Sequence, residues 1–234
     1  MMSTQARLRL LSHASWSGYI YIAFLMVGIW PLAGFFPSQP PSWDAAQIAQ
    51  VYESNRQGIR VGMVLVLVGS MFYVPWTAVL AKLIMRVEGR AGILTFCQII
   101  AGCCNVLLTA YPGGWWLIAA YRPERSAEIV QLLNDISWSQ FLGVISPFYF
   151  VPLSIAYAAF ADSGEDPVIP RWVGWFNLWF FTTLIPLSII FWFHSGPFAW
   201  NGIFGFYLPF SIFWVWFIVM TITIRRSLHR LEDN

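Results

Sequence analysis

The chain has 234 residues, of which 58% are hydrophobic and only 10% are charged, and its mean hydropathy is +0.63. Soluble domains carry about 25% charged residues, and a soluble fold of this length could not bury so much apolar surface. The net charge of +2, with no basic patch, argues against nucleic-acid binding. The three cysteines, Cys97, Cys103 and Cys104, lie in one apolar run, so no disulfide framework is expected. The composition indicates an integral membrane protein.

Six apolar segments are long enough to cross the hydrocarbon core as helices, which requires roughly 20 residues. In chain order they are expected at 16–36, 61–81, 91–111, 136–161, 172–193 and 202–224. The first is longer than the apolar core of a signal peptide and no clear cleavage site follows it, so we interpret it as a retained helix. The sequence therefore predicts an all-α, polytopic transmembrane bundle of six spans that forms a single domain over residues 1–234.

Basic residues are distributed unevenly between the two ends of the expected bundle. One end holds nine of them: Arg7, Arg9, Lys82, Arg86, Arg90, Arg171, Arg225, Arg226 and Arg230. The other end holds four: Arg56, Arg60, Arg122 and Arg125. The positive-inside rule places the end with nine basic residues in the cytoplasm. Because the number of spans is even, both termini are expected there.

Two external connections are long enough to hold amphipathic segments, expected at 42–55 and 112–134. In the first, a candidate N-cap at Ser42 precedes apolar residues at helical spacing: Trp43, Ala45, Ile48 and Tyr52. In the second, Gly113 and its neighbouring glycine follow the third span, and Pro123 is expected to open a polar helix that runs into the fourth span.

Four spans carry a proline followed two residues later by Ser or Thr, at Pro75, Pro152, Pro186 and Pro209. Three of these motifs follow a Phe-Tyr pair, and those three lie on the even-numbered spans. One interpretation is a helical hairpin used three times, with Pro-kinked helices around a central cavity. The other is that proline and serine are simply common in membrane helices.

Residues that could carry catalysis are few and scattered. His13, His194 and His229 are far apart, and no metal-ligand spacing or glycine-rich phosphate loop occurs. No span carries an acidic residue in its middle, which argues against a di-iron bundle and a proton-coupled pump. We therefore expect no enzyme activity, no catalytic residue, no metal and no nucleotide. His194 is a candidate lone axial ligand for a metal or pigment, although an interfacial histidine with satisfied hydrogen bonds is the simpler interpretation.

Polar side chains at membrane depth are the candidate ligand-binding residues: Gln98, Asn105 and Thr109 on the third span, Gln140 on the fourth and Asn177 on the fifth. Those on the third span share one helix face. They either line a weakly polar cavity for an uncharged ligand or act as hydrogen-bond glue between helices, and glue is the commoner role. Asp135, at the external mouth of the fourth span, is the best candidate for a functional charge. Its simpler role is to pair with Arg56 or Arg60.

Four loop motifs carry a resemblance to a family of uncharacterised bacterial membrane proteins of similar length. They are Asn55-Arg56-Gln57-Gly58-Ile59-Arg60, Arg122-Pro123-Glu124 with Leu132-Leu133-Asn134-Asp135, Pro170-Arg171-Trp172-Val173-Gly174, and Gly196-Pro197-Phe198-Ala199-Trp200-Asn201-Gly202. The resemblance spans most of the chain. It implies a six-helix bundle of the bacterial cytoplasmic (inner) membrane and adds no catalytic residue.

The sequence leaves two functions open. The first is a non-catalytic accessory or structural subunit of a larger membrane complex, in contact with lipids and other subunits, with lipid, quinone or carotenoid pigment as candidate ligands. The missing catalytic groups and the high aromatic content, 18% of the chain, favour it. The alternative is a carrier or receptor for a small uncharged hydrophobic molecule, which the kinked helices and polar faces favour.

We predict that both termini face the cytoplasm, because nine of the thirteen basic residues lie on their side of the membrane. Ser3→Cys and Asp233→Cys, each in a background without the native cysteines, should resist an impermeant maleimide in intact cells and react after permeabilisation. Ser42→Cys, on the expected external side, serves as the control and should react in both conditions. Labelling of position 3 or 233 in intact cells would contradict the orientation.

Overall fold

A computed structural model describes residues 3–228 of the chain. His229 and Arg230, and with them the last basic residue of the expected cytoplasmic end, lie outside the described residues. Residues 3–228 contain helices and no β-strand. The α-helices are α1 (Thr4–Val27), α2 (Ala45–Ser54), α3 (Arg56–Ser70), α4 (Tyr73–Glu88), α5 (Ile93–Tyr121), α6 (Ala127–Trp138), α7 (Phe150–Ala161), α8 (Arg171–Leu184) and α9 (Leu208–Ser227).

Irregular helical turns extend several of these helices. They are π-helical at Gly28–Leu32, Ser139–Gly143 and Ile203–Tyr207, and 3-10 helical at Ser146–Tyr149 and Ile185–Trp192. Together with them, the described residues form six helical segments that are long and apolar enough to cross a membrane: Gln5–Leu32, Arg56–Glu88, Ile93–Tyr121, Ala127–Ala161, Arg171–Trp192 and Ile203–Ser227. The prediction of an all-α, six-span membrane bundle is confirmed.

The observed segments differ from the expected spans at their ends. The first four segments differ most. The second, third and fourth spans, expected at 61–81, 91–111 and 136–161, are observed at 56–88, 93–121 and 127–161. The first segment begins before residue 16 and ends at Leu32 instead of 36, while the fifth and sixth agree within three residues. Hydropathy marks only the stretch that fits the hydrocarbon core, whereas helical hydrogen bonding continues through the more polar residues at either end.

The first external segment contains α2, whose N-cap is Asp44 rather than Ser42. The Asp44 carboxylate accepts a hydrogen bond from the Gln47 backbone N–H at 2.9 Å, and the Gln47 side chain accepts one from the Asp44 backbone N–H at 3.0 Å. This reciprocal capping box fixes where the helix starts. Ile48 and Tyr52 are buried and α2 packs against α6, so its apolar face anchors it to the bundle.

The prediction of a second external segment at 112–134 is wrong for its first ten residues. Helix α5 continues through Pro112 and the glycine pair that follows it as far as Tyr121. Neighbouring helices allow such residues inside a membrane helix. Pro123 does not open a helix; α6 begins at Ala127 and, as expected, continues into the fourth span.

Arginine side chains cap the C-terminal end of α5. Arg60 donates to the carbonyl oxygens of Ala120 and Tyr121 at 3.1 and 2.6 Å, and Arg56 donates to that of Ala120 at 3.2 Å. The last carbonyls of a helix have no partner within it and carry the negative end of its dipole. The expected pairing of Arg56 or Arg60 with Asp135 is wrong, since no ion pair joins them within residues 3–228.

Hydrogen bonds between distant segments show which residues share each end of the bundle. At one end, Arg225 of α9 donates to the Ser15 hydroxyl of α1 at 3.1 Å. At the other, the Trp200 indole donates to the Gln39 carbonyl oxygen at 2.8 Å. The six segments run alternately in opposite directions between these ends, so the first and last described residues lie on the same side. Which side is cytoplasmic stays a prediction.

Each proline motif stands where a helical segment starts after an interruption. Pro75, Pro152 and Pro209 lie in the first turns of α4, α7 and α9. Pro186 lies at the start of the 3-10 segment that follows α8. A proline fits a first turn because the N–H it lacks would have no helical partner there. The prolines therefore coincide with breaks in the spans, as expected of Pro-kinked helices, and the common origin of three of them stays a hypothesis.

The first two spans approach each other at glycines. Gly28 and Gly62 face each other so closely that a Cβ at either position would overlap the carbonyl oxygen of the other. A Cβ at Gly58 would overlap the Leu32 carbonyl oxygen. Gly58, Gly62 and Gly69 lie on one face of the second span, and a Cβ at Gly69 would overlap the Phe24 side chain of α1, so this face forms a close helix contact.

We predict that Gly62→Ala lowers the free energy of unfolding by about 1–3 kcal/mol, because the added methyl group forces backbone from backbone. Gly114→Ala is the matched control, since a Cβ at Gly114 meets no atom within 4 Å. It should leave the stability unchanged or raise it by up to about 1 kcal/mol through better helix propensity. Unfolding in mild detergent measures both; an equal effect of the two substitutions would contradict the close contact.

Candidate functional site

A partly enclosed cavity lies between the helices, near the midpoint of α5. Its volume is about 50 Å³. A water molecule needs about 10–15 Å³ of such a cavity, so there is room for a few waters or for the end of a larger molecule. Five of the six spans form its wall, through α1, α5, α8, α9 and the irregular backbone between α6 and α7 and after α8.

The polar part of the wall consists of Tyr21 on α1 and Asn105 and Thr109 on α5. The hydroxyl oxygens of Tyr21 and Thr109 are 2.8 Å apart, and Thr109 also donates to the Asn105 backbone carbonyl at 3.2 Å. Asn105 is only 5% exposed, and its Nδ2 has no hydrogen-bond partner within the described structure. A buried donor without a partner costs about 1–3 kcal/mol. The cavity therefore contains a polar group that still requires an acceptor.

Interrupted backbone forms the facing wall. Phe141 belongs to the π-helical turn of the fourth span, Phe148 to the 3-10 turn that follows it, and Leu187 to the 3-10 segment of the fifth span. The Tyr149 hydroxyl ties these breaks together, because it donates to the Leu184 carbonyl oxygen at 3.1 Å. Non-helical backbone at membrane depth is tolerated only where it is buried in protein or lines a cavity. In this chain it does both.

The cavity brings together two of the predicted ligand residues, Asn105 and Thr109. Burial confirms that Gln98 and Asn105 point into the bundle, with exposed fractions of 0% and 5%. Gln98 does not reach the cavity; its Nε2 donates to the Thr77 hydroxyl of α4 at 3.0 Å. Gly102 lies against the same threonine. The polar face of the third span is thus shared between an interhelical bond and the cavity wall.

Asn177 and Gln140 lie away from the cavity and accept hydrogen bonds from tryptophans. The fully buried Asn177 accepts from the Trp216 indole at 2.9 Å and donates from Nδ2 to the Val173 carbonyl oxygen at 2.8 Å. Gln140 is half-buried and accepts from the Trp115 indole at 2.8 Å. These contacts favour the interpretation of both amides as glue between helices.

Asp135 and His194 also lie outside the cavity. Asp135 is half-buried on α6, beside the buried Asn134, whose Oδ1 accepts a hydrogen bond from Tyr52 at 3.0 Å. Burial, and secondly the Asp135 charge, raise the pKa of the Tyr52 hydroxyl well above its ordinary value, so it remains a donor. His194 is exposed. Among residues 3–228, no three His, Cys, Asp or Glu side chains come close enough to hold a metal ion.

Sequence reasoning missed Tyr21 and the phenylalanines of the cavity wall. Tyr21 stands in the apolar run of α1 with no polar stripe around it, and only its partner Thr109 reveals its role. The prolines at 147 and 186 were a usable signal for the breaks, since proline removes a backbone donor. They could not indicate which side chains face inward.

We predict that Asn177→Leu lowers the free energy of unfolding by about 1–3 kcal/mol, because it leaves the Trp216 N–H buried without an acceptor. Trp216→Phe removes the donor, so the double variant Asn177→Leu/Trp216→Phe should lose less than the sum of the two single variants. Chemical unfolding in detergent measures all four proteins. Additive losses would mean that the two side chains are not coupled.

No family model, curated protein or solved structure matches the chain. The resemblance of its loop motifs to uncharacterised bacterial membrane proteins therefore stays a prediction. The case for a function rests on the residues of the cavity and on the surface of the bundle.

Proposed function

We propose that this chain is a non-catalytic membrane protein that binds a small, uncharged and mostly apolar molecule between its helices, as an accessory subunit of a larger complex in a bacterial inner membrane. The observation that carries the proposal is the cavity at Asn105. Irregular backbone of the fourth and fifth spans forms one side of it, and it contains a buried donor without a partner.

The chemistry of the wall supports an uncharged ligand. None of the residues that line the cavity is acidic or basic, and only Tyr21, Asn105 and Thr109 are polar. Apolar pockets with a few convergent polar groups are typical binding sites. Because the cavity measures about 50 Å³, it accommodates one end of a ligand whose remaining body lies between the helices.

The same wall supports a role without turnover. Catalysis by side chains needs a nucleophile or base next to a group that orients it. The Tyr21 and Thr109 hydroxyls instead bond to each other, and no carboxylate, histidine or cysteine lines the cavity.

A stripe of exposed tryptophans on α8 supports the accessory role. Trp172, Trp175 and Trp179 are 54%, 63% and 50% exposed, and their spacing of three and four residues places them on one face. Tryptophan is enriched at lipid headgroups and at protein interfaces. Trp179 lies two turns inside the helix, deeper than a headgroup anchor, which favours a neighbouring subunit as its partner.

We predict that the wild-type protein, extracted with its native lipids in polymer nanodiscs, carries companion proteins. Trp175→Leu/Trp179→Leu should lose them, because leucine keeps the surface apolar and removes the rings. Trp16→Leu/Trp30→Leu, at exposed positions on the first span, is the matched control and should retain them. Mass spectrometry of the particles identifies the companions; a wild-type protein that is consistently alone, with its ligand bound, would overturn the accessory role.

The breaks in the spans also favour a second function, a carrier or receptor for a hydrophobic molecule, because interrupted helices are where transporters place their ligand sites. A carrier reconstituted alone in liposomes moves its substrate at a rate that Asn105→Leu changes. An accessory subunit binds the substrate under the same conditions without moving it across the bilayer.

A further inference from the structure

We propose that the ligand presents one uncharged hydrogen-bond acceptor, a carbonyl oxygen such as that of a quinone, ketone or ester, to Nδ2 of Asn105. The inference rests on the proposed function, since it assumes that a molecule occupies the cavity. It selects among apolar ligands and names the atom of the protein that recognises them.

The hydroxyl and amide hydrogens of the polar wall residues identify the group that recognises the ligand. Thr109 donates its hydroxyl hydrogen to the backbone carbonyl oxygen of Asn105, which leaves the Thr109 oxygen to accept from the Tyr21 hydroxyl. Both hydroxyl hydrogens are therefore used within the protein. Among the cavity-lining side chains, only the Asn105 carboxamide keeps an N–H without an acceptor, and Asn105 is only 5% exposed.

The rest of the wall limits the class of molecule. No cation lines the cavity to balance a carboxylate or phosphate, and no carboxylate lines it to balance an amine. Burying an unpaired charge is far more costly than burying a neutral group. A pure hydrocarbon would fit the apolar wall but leave the Asn105 donor unpaired. Only a neutral molecule with an acceptor satisfies both conditions.

Phenylalanine rings favour an acceptor carried on a flat ring. Phe141, Phe148 and Phe213 all line the cavity, and aromatic faces and edges pack well against planar rings. Phe148 and Phe213 also contact each other, with ring centroids 6.1 Å apart, so they form one continuous part of the wall. A quinone head with its chain between the helices matches this arrangement.

Binding to the full-length protein in nanodiscs tests the inference with two probes of the same shape, a benzoquinone with a ten-carbon chain and decylbenzene. In Asn105→Leu the Kd for the quinone should rise about 5- to 10-fold, as expected for the loss of one hydrogen bond. The Kd for decylbenzene should stay the same or fall. Gln98→Leu removes a buried amide of the same helix that does not line the cavity, and should change neither Kd.

Infrared spectroscopy of the wild-type protein provides a test that needs no variant. The carbonyl stretch of the bound, isotope-labelled quinone should shift to lower wavenumber than in an apolar solvent. An unshifted carbonyl, or an equal effect of Asn105→Leu on both probes, would overturn the carbonyl inference and leave the apolar site standing. Leu187→Trp fills the cavity. If neither probe binds the wild-type protein and this substitution leaves its stability unchanged, the cavity holds water only and the proposed function itself fails.

Discussion

Hydrocarbon offers no hydrogen-bond partner to a peptide group, so every interruption of a membrane helix has to be compensated by the protein around it. Here the compensation depends on α5, a continuous α-helix of 29 residues that no irregular turn divides. The interrupted fourth span packs directly against it, and the Tyr149 hydroxyl satisfies the Leu184 carbonyl oxygen between the broken fourth and fifth spans. Arg56 and Arg60 donate hydrogen bonds to the carbonyl oxygens at its C-terminal end. A continuous α5 lets several spans be irregular at the same depth, and the cavity results.

Tryptophan has two distinct uses in this bundle. Trp76, Trp138 and Trp216 are fully buried, and each donates its indole N–H to a side chain on another segment: to Thr221, Gln39 and Asn177, respectively. The same residue type thus supplies packing area and a directional bond between helices. The exposed stripe on α8 makes no such bond within residues 3–228. High aromatic content by itself indicated partner subunits, but a large part of it builds the core, so the argument for partners now rests on the surface tryptophans alone.

Local patterns predicted the fold well because hydrophobic length is imposed by the bilayer on each span separately. The inward orientation of Gln98 and Asn105 followed in the same way from their spacing on one helix. The cavity did not follow, because it depends on contacts between distant segments: Tyr21 meets Thr109 across 88 residues of sequence. Charge pairing failed for a related reason. Asp135 was the acid expected to pair with Arg56 or Arg60, yet Arg60 donates to the backbone carbonyls at the end of α5, which hydropathy had placed ten residues earlier.

The contacts of Gln39 have a consequence for how a molecule reaches Asn105. Gln39 accepts the indole N–H of Trp138 through its side chain and that of Trp200 through its backbone, and Ser38 donates to the Trp200 carbonyl oxygen at 3.0 Å. These bonds join the connection between the first and second spans to the one between the fifth and sixth spans, over one end of the bundle and above a layer of buried rings. If the proposed apolar ligand binds at Asn105, this closed end leaves the acyl chains as a route of entry, and the concentration that governs occupancy would be its mole fraction in the lipid. A molecule scarce in the aqueous phase can saturate such a site by partitioning first into the membrane.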